Sequence, residues 1–101
     1  MPTKTVPYTA GQERIARYAK ALSHPARVYI LRFLDKQCAC YVGNIVEELP
    51  MAQSSVSQHL KELKNAGLIQ GTVEPPKVKY CINRENWREA RAMFAAFFEE
   101  G

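Results

Sequence analysis

The chain has 101 residues, of which 47% are hydrophobic and 24% charged, so it suits one globular domain and is too apolar for a disordered protein. Fourteen basic residues against ten acidic ones give a net charge of +4, a mild excess that is consistent with a polyanionic partner. No apolar run approaches a membrane span and the N-terminus lacks the core of a signal peptide, so we expect a cytoplasmic protein with no membrane partner. Three cysteines, an odd number, argue against a disulfide framework.

The first predicted element is a helix that follows a short N-terminal arm. Residues 1–10 contain two prolines and no apolar periodicity, so we interpret them as a flexible arm ahead of a folded domain of residues 11–101. Beyond Gly11, apolar side chains recur at i, i+3, i+4 and i+7, which predicts a helix with one buried face. These side chains are Ile15, Tyr18, Ala19 and Leu22.

A second helix, predicted from Pro25 to Lys36, is expected to be the central buried helix. Proline suits a first helical turn because its missing N–H would have no intrahelical partner there, and Ser23 or His24 can cap that turn. Apolar side chains cover more than half of the helix surface, namely Val28, Ile30, Leu31, Phe33 and Leu34. We interpret His24 as a capping or packing residue rather than as part of a site.

Two helices separated by a three-residue turn come next. A short helix begins at Val42 and is ended by Pro50, and a longer one follows Ala52. The short helix carries Val42, Ile45, Val46 and Leu49 at helical spacing. Gly67, which can adopt a left-handed cap conformation, ends the longer helix. This order is typical of a helix-turn-helix motif.

The longer helix of this motif, within residues 51–65, has an unusually bare polar face. Val56, Leu60 and Leu63 form its apolar side, which leaves short hydrogen-bonding side chains near the N-terminal end and lysines further on. A helix that enters the major groove of DNA needs this combination, because donors and acceptors read base edges while cations hold phosphates. The predicted DNA contacts on this helix are Gln53, Ser54, Ser55, Ser57, Gln58, His59, Lys61 and Lys64.

A β-hairpin is predicted directly after the helix-turn-helix. Residues 68–73 and 78–82 alternate in the manner of strands, and the proline-rich segment 74–77 joins them. A two-stranded hairpin in this position is the wing of a winged helix. Lys77 and Lys79 lie near its tip, where they can reach backbone phosphates beside the groove.

Residues 83–100 are predicted to form a last helix with an aromatic face. Its apolar side chains are Trp87, Ala90, Phe94, Phe97 and Phe98. So small a domain cannot cover this much aromatic surface, and we expect the helix to pack with the first helix against a second subunit. The alternative is that it completes the monomer's core. The predicted fold is thus mainly α with a small β-hairpin, a winged helix-turn-helix with five helices and a two-stranded wing.

The order of these elements and several local phrases resemble the ArsR family of small winged-helix transcriptional repressors. The similarity runs from about Ile15 to Phe97. It rests on the following segments: residues 21–27 (ALSHPAR), Cys38-Ala-Cys40, residues 54–68 (SSVSQHLKELKNAGL) and a wing ending in Tyr80. The resemblance implies a homodimer that binds a palindromic operator in double-stranded DNA, represses transcription, and releases the DNA when an inducer binds.

Cys38 and Cys40 are the candidate inducer ligands. Residues two apart point in nearly opposite directions on a helix but to one side of an extended segment, so both thiols can hold one ion only if the chain is extended or irregular there. Thiolates select soft metals and metalloids. The pair resembles the Cys-x-Cys of arsenic-responsive ArsR members, which implies As(III) or Sb(III) as inducer and no required cofactor.

The ligand set departs from that family pattern at one position. Arsenic-responsive members often carry a third thiol where this chain has Gly43, so the third ligand could be Cys81, a thiol of the other subunit, a small cellular thiol, or nothing. Zinc-sensing members use histidine and carboxylate ligands on the last helix, and residues 86–99 contain no histidine, which argues against zinc sensing. Two alternatives stay open: the cysteines respond to oxidants or reactive sulfur, or they are inert.

The sequence lacks a recognisable catalytic constellation. No nucleophile lies in a catalytic setting and no glycine-rich phosphate loop occurs, so we do not expect an enzyme. The competing class is a winged helix used as a protein-interaction module without an inducer. Ser55, Gln58 and His59 favour groove edges instead, because a protein interface would favour aromatic residues on that face.

Overall fold

The computed structural model describes residues 7–37 and 40–100, and within them the chain forms five helices and one antiparallel sheet. The helices are α1 (Ala10–Ala21), α2 (Pro25–Lys36), α3 (Val42–Glu48), α4 (Gln53–Asn65) and α5 (Arg84–Glu100). The strands are β1 (Cys40–Tyr41), β2 (Ile69–Glu74) and β3 (Lys77–Ile82). The predicted winged helix-turn-helix is confirmed, with α3 and α4 as the motif and β2 and β3 as the wing.

A short third strand extends the predicted two-stranded wing. The strand order is β1-β3-β2, and both pairings are antiparallel. Strand β1 pairs Cys40 with Tyr80 and Tyr41 with Lys79. Two residues are too few to show an alternating pattern, so this strand could not be predicted from the sequence. The backbone at Cys40 is extended, as a shared ion would require, whereas Cys38 lies outside the described residues.

The core is formed by the apolar faces of α2, α3 and α4 and is closed by the base of the wing. Six of its side chains are 0% exposed: Ile30, Leu34, Ile45, Val56, Leu60 and Leu63. Leu68, Ile69 and Ile82 cover them from the wing side. Complete burial of one such side chain contributes about 1.5–3 kcal/mol. Helix α4 is therefore held against the domain by its apolar stripe.

The ends of α1 and α2 are set by side-chain caps. Thr9 and Gln12 form a reciprocal capping box at the start of α1. Thr9 and Ala10, which the sequence assigned to the arm, therefore belong to the folded domain, while residues 1–6 lie outside the described part of the chain. Nδ1 of His24 accepts a hydrogen bond from the Ala26 N–H at 3.0 Å, which confirms His24 as the cap of α2.

Glu89 of α5 connects that helix to α1. The Tyr18 hydroxyl donates to Glu89 Oε1 at 2.7 Å, and Arg14 Nη1 donates to Glu89 Oε2 at 2.9 Å. The hydrogen bond from Tyr18 is the main reason that the pKa of Glu89 lies below its ordinary value, and Arg14 acts in the same direction. The two helices expected at a subunit interface thus already form one unit within the monomer.

The aromatic stripe of α5 is divided between the core and the surface. Ala90 is buried, and Trp87 and Phe94 pack half-buried against the core. Phe97 and Phe98 remain 58% and 73% exposed. The domain itself therefore covers the first half of the stripe and leaves its last two aromatic rings exposed. None of the described helices is long and apolar enough to cross a membrane.

Candidate nucleic-acid interface

The outer face of α4 is polar and exposed. Val56, Leu60 and Leu63 are fully buried, which fixes the rotation of the helix about its axis. The exposed side chains are Gln53, Ser54, Ser55, Ser57, Gln58, Lys61 and Lys64. Seven of the eight residues predicted as DNA contacts on this helix are therefore accessible from outside the domain.

The N-terminal end of α4 presents backbone donors. Ala52 occupies the N-cap position, so no side-chain oxygen caps the helix, and the first turn contains no acidic residue. The first N–H groups of a helix lack intrahelical partners and carry the positive end of the helix dipole. An uncapped N-terminus next to Ser54 and Ser55 is therefore suited to bind a backbone phosphate.

The C-terminal end of α4 is closed by a Schellman motif. The Gly67 N–H donates to the Lys64 carbonyl at 2.9 Å, and the Leu68 N–H donates to the Leu63 carbonyl at 3.2 Å. Gly67 has a φ of +87°, as the sequence predicted for the residue that ends this helix. Chain direction reverses here into β2, which fixes the wing relative to α4.

Gln58 lies near the middle of the exposed face. Its Nε2 donates to Glu62 Oε1 one turn later at 3.4 Å, which is long for a hydrogen bond. A weak surface bond of this kind is readily exchanged for another. The amide therefore remains able to make the bidentate contact by which glutamine reads an adenine edge.

His59 is largely buried, unlike the seven other predicted contacts on α4, and this burial argues against its predicted role as a groove contact. It is 9% exposed, and its Nδ1 accepts a hydrogen bond from Arg27 Nε at 3.2 Å. The His24 ring lies 4.4 Å away, centroid to centroid. Burial is the main cause that lowers the pKa of His59, followed by the nearby His24 and Arg27. His59 thus packs α4 against the start of α2.

Arg27 is a residue of this region that the sequence did not single out. Its guanidinium donates to His59 and, through Nη1, to the Lys20 carbonyl near the end of α1 at 3.1 Å. One side chain thereby connects α1, α2 and α4. The only sequence signal was its place in the segment ALSHPAR, where nothing distinguishes it from a solvated arginine.

The wing brings its two predicted phosphate contacts close to a carboxylate. Lys79 Nζ lies 3.3 Å from Glu74 Oε1, and Glu74 is the register partner of Lys77 across the hairpin. The three side chains leave a modest excess of positive charge at the tip. Lys79 must exchange Glu74 for a phosphate if it is to hold DNA.

The cysteines are only partly within the described residues. Cys38 lies outside them, and for Cys40 the structure describes the backbone, whose partner across β1 and β3 is Tyr80. Cys81, the residue after Tyr80, is a half-buried free thiol. Within the described residues no group of three or more metal-binding side chains occurs.

Comparison with known proteins identifies the family. Residues 24–70 match the family described as bacterial regulatory protein, arsR family. The transcriptional regulator YgaV of Escherichia coli K12 is 30% identical over 83 residues, which cover 82% of this chain and 84% of YgaV. The chain belongs to the ArsR family.

Two further matches carry names that refer to metals or metalloids. A Staphylococcus aureus homolog of the cadmium resistance regulatory protein CadC is 33% identical over 78 residues, or 74% of this chain and 62% of that protein. A crystal structure of a possible transcriptional regulator for arsenical resistance superposes with a TM-score of 0.72 at 25% identity, covering 78% of this chain and 81% of that one.

The ArsR match includes the surface described above. Residues 24–70 run from the His24 cap through Arg27 and α4 to the start of β2, whereas the wing tip and α5 lie beyond it. The relatives are transcriptional regulators, a class of proteins that are not enzymes, and this confirms the prediction that the chain is not an enzyme. It is a winged-helix regulator of transcription.

Proposed function

We propose that this ArsR-family repressor is a homodimer that binds a palindromic operator through α4 and the wing and releases it when a thiophilic inducer binds near Cys38 and Cys40. The observation that carries the DNA-binding part is the exposed polar face of α4. It combines an uncapped N-terminus with serine, glutamine and lysine side chains in the order that a groove-binding helix needs.

The assignment of contacts follows the position of each side chain on α4. Ser55 and Gln58 lie in the N-terminal half and read base edges. Lys61 and Lys64 lie further along, where phosphates border the groove, and Lys77 and Lys79 of the wing bind phosphates beside it. The residues beside Ser55 and Gln58 near the N-terminal end of α4 are Gln53, Ser54 and Ser57. An interface for a protein partner would place aromatic side chains on this face, and it has none.

Dimerisation is supported by the exposed end of α5. Phe97 and Phe98 pack edge to face, 5.2 Å between ring centroids, and both are more than half exposed. Paired exposed phenylalanines on a helix are costly in water and mark an interaction site. In a two-fold dimer each copy would cover those of the other, and the two α4 helices would lie about 34–36 Å apart on the DNA.

The inducer part rests on the cysteines and on the position of β1. Strand β1 lies between the segment of Cys38 and the first residue of α3, and α3 supports α4 through the short turn. A thiophile that draws the Cys38–Cys40 segment together would therefore act on the helix-turn-helix directly. Cys81, a half-buried free thiol on β3, is the remaining cysteine of the sequence and therefore one candidate for a third ligand.

The test is a binding experiment with the protein's own upstream DNA. A gel shift or anisotropy titration should give a preferred operator over random DNA of equal length. Arsenite or antimonite at micromolar concentration should release it, whereas zinc should not. Release by an oxidant or a polysulfide but not by arsenite would replace the metalloid with redox or sulfur sensing. No preferred DNA at any salt concentration would contradict the proposal and favour a protein-interaction module.

A further inference from the structure

The side chain of His59 is the only imidazole on the recognition helix α4, and it packs against Arg27 at the edge of the surface that Ser55 and Gln58 form. It is 9% exposed, although its neighbours Gln58 and Ser55 are exposed. A titratable side chain that is buried in this way can affect DNA binding through the placement of the helix that carries it.

The surroundings of His59 require it to be neutral. Arg27 Nε donates to Nδ1 of His59 at 3.2 Å, so that nitrogen must present a lone pair. A protonated imidazole carries a hydrogen on both nitrogens, and two donors would then face each other across the same distance. The groups that face His59 from α2 and its cap are the cation Arg27 and the His24 ring, whereas Lys20 contributes only its carbonyl to Arg27. None of these would accept the added charge.

We infer that Arg27 and neutral His59 together are the positioning residues of the recognition helix, and that protonation of His59 lowers discrimination between operator and random DNA. This inference rests on the proposed DNA-binding function. Arg27 holds His59 and the Lys20 carbonyl at the same time, so it fixes α4 relative to α1 and α2. Loss of the bond allows α4 to shift by fractions of an ångström. Base-edge hydrogen bonds are sensitive to such shifts, whereas contacts of lysines with phosphates are not.

The direction of the pH effect follows from the native surroundings. Burial and the adjacent His24 and Arg27 lower the pKa of His59 relative to that of the unfolded chain. Acid therefore protonates the unfolded or undocked form first, so the stabilising contribution of neutral His59 is complete above about pH 6.5 and decreases as the pH falls toward the native pKa. Non-specific DNA binding does not share this dependence, since contacts with phosphates do not require the exact placement of α4.

The experiment measures the ratio of operator to random-DNA affinity at constant salt between about pH 7.5 and pH 5.5. For the wild type this ratio should fall by about threefold or more toward acid. His59→Asn supplies an oxygen near the position of Nδ1 and does not titrate, so its ratio should stay constant across the range. A fall that persists in His59→Asn would overturn the inference.

His24→Asn is the matched control, because asparagine also caps helices and removes the other imidazole. In this variant the ratio of operator to random-DNA affinity should still fall toward acid, as it does in the wild type. Disappearance of the fall in this variant would assign it to the cap and contradict the role of His59. A titration of both imidazoles of the wild type by NMR gives an independent check that needs no variant: the affinity ratio should follow the titration of His59 and not that of His24.

Arg27→Lys tests the positioning role at neutral pH. Lysine cannot donate to both the Lys20 carbonyl and His59 in the geometry of the guanidinium fork. Operator affinity should fall about tenfold while random-DNA affinity stays within twofold, with far-UV circular dichroism and the melting transition recorded to confirm folding. Unchanged operator affinity would contradict the role of Arg27. Absence of any preferred operator in the wild type would instead contradict the proposed function, and the inference with it.

Discussion

Asn86 of α5 donates a hydrogen bond from Nδ2 to the backbone carbonyl of Gly67, the residue that closes α4, at 2.8 Å. The Asn83 N–H donates to the next carbonyl, that of Leu68, at 2.9 Å. The recognition helix is therefore attached at its C-terminal end to the helix proposed for dimerisation. With Arg27 holding His59 from α2, α4 is fixed from two sides by groups that are far apart in sequence.

Replacement of Gly67 by alanine should destabilise the fold. Gly67 has a φ of +87°, and a Cβ there would lie 2.9 Å from Asn86 Nδ2. The left-handed conformation alone costs a non-glycine residue about 1–2 kcal/mol. We expect urea denaturation to show a lower midpoint with an unchanged slope.

Gly11→Ala is the control for that measurement. Gly11 lies in the first turn of α1 and its nearest neighbour to an added Cβ is 3.8 Å away, so alanine is accommodated. Stability should be unchanged or raised by up to about 1 kcal/mol. Equal midpoints for Gly67→Ala and the wild type would show that the turn tolerates a side chain. Adding Asn86→Ala to Gly67→Ala should recover part of the loss.

The fold was largely predictable because its elements carry strong local signals. Pro25 and the apolar period gave the limits of α2, and Pro50 and Gly67 delimited the helix-turn-helix. Strand β1 could not be predicted, because two residues acquire strand character only by pairing with Tyr80 forty residues away. The burial of His59 likewise depends on residues that are far away in the sequence.

His59 shows the limit of helical periodicity for predicting a site. It lies on α4 at the border between the apolar stripe and the polar face, where spacing alone does not distinguish a groove contact from a packed residue. Its burial is decided by Arg27 and His24, about thirty residues earlier. Residues at the centre of the polar face, such as Gln58, are exposed as the sequence predicted.

Gln58→Ala should separate base reading from phosphate binding. If the Gln58 amide reads a base edge, its loss should cost about 1–3 kcal/mol on the operator and little on random DNA. Quantitative titration of both DNAs at one salt concentration measures the difference. Equal losses on the two DNAs would contradict the assignment of Gln58.

Lys79→Ala should weaken binding to both DNAs and flatten the salt dependence by about one unit, because one phosphate contact is lost. Its partner provides the complementary test. Glu74 lies 3.3 Å from Lys79 and faces Lys77 across the hairpin, so Glu74→Gln should remove a competing carboxylate and strengthen binding to both DNAs. If DNA affinity depends on salt concentration with the same slope in the wild type, Lys79→Ala and Glu74→Gln, the wing does not bind phosphates.

Phe97→Ser combined with Phe98→Ser should shift the dimer toward monomer. These side chains are 58% and 73% exposed, so the substitutions remove little from the monomer's own core. Sedimentation velocity at micromolar concentration should show dissociation, together with weaker operator binding because one half-site is lost. Val73→Ser, which alters a side chain 69% exposed on the wing, is the control and should remain dimeric. A wild-type monomer at this concentration would contradict the dimer itself.

Cys38→Ser and Cys40→Ser should each keep operator affinity and abolish release by arsenite or antimonite. A ligand can shift the repressor away from DNA only by the difference in its affinity for the two conformations. The cysteine segment lies directly before α3, so removal of a thiolate takes away that difference without altering the exposed face of α4. Anisotropy titrations of preformed complexes with inducer measure the release. If the double variant still releases DNA at the wild-type inducer concentration, the sensor lies elsewhere.

Cys81→Ser distinguishes the ligand sets that the missing thiol at Gly43 leaves open. Cys81 follows Tyr80, the backbone partner of Cys40, and is a half-buried free thiol. Loss of the response would make Cys81 the third thiolate, since serine is nearly isosteric but does not bind soft ions. A full response in purified protein without added thiol would show that Cys38 and Cys40 suffice or are completed by the other subunit. A response that appears only when a small thiol such as glutathione is added would assign the third position to that thiol, because the protein then supplies two donors and the solution the third.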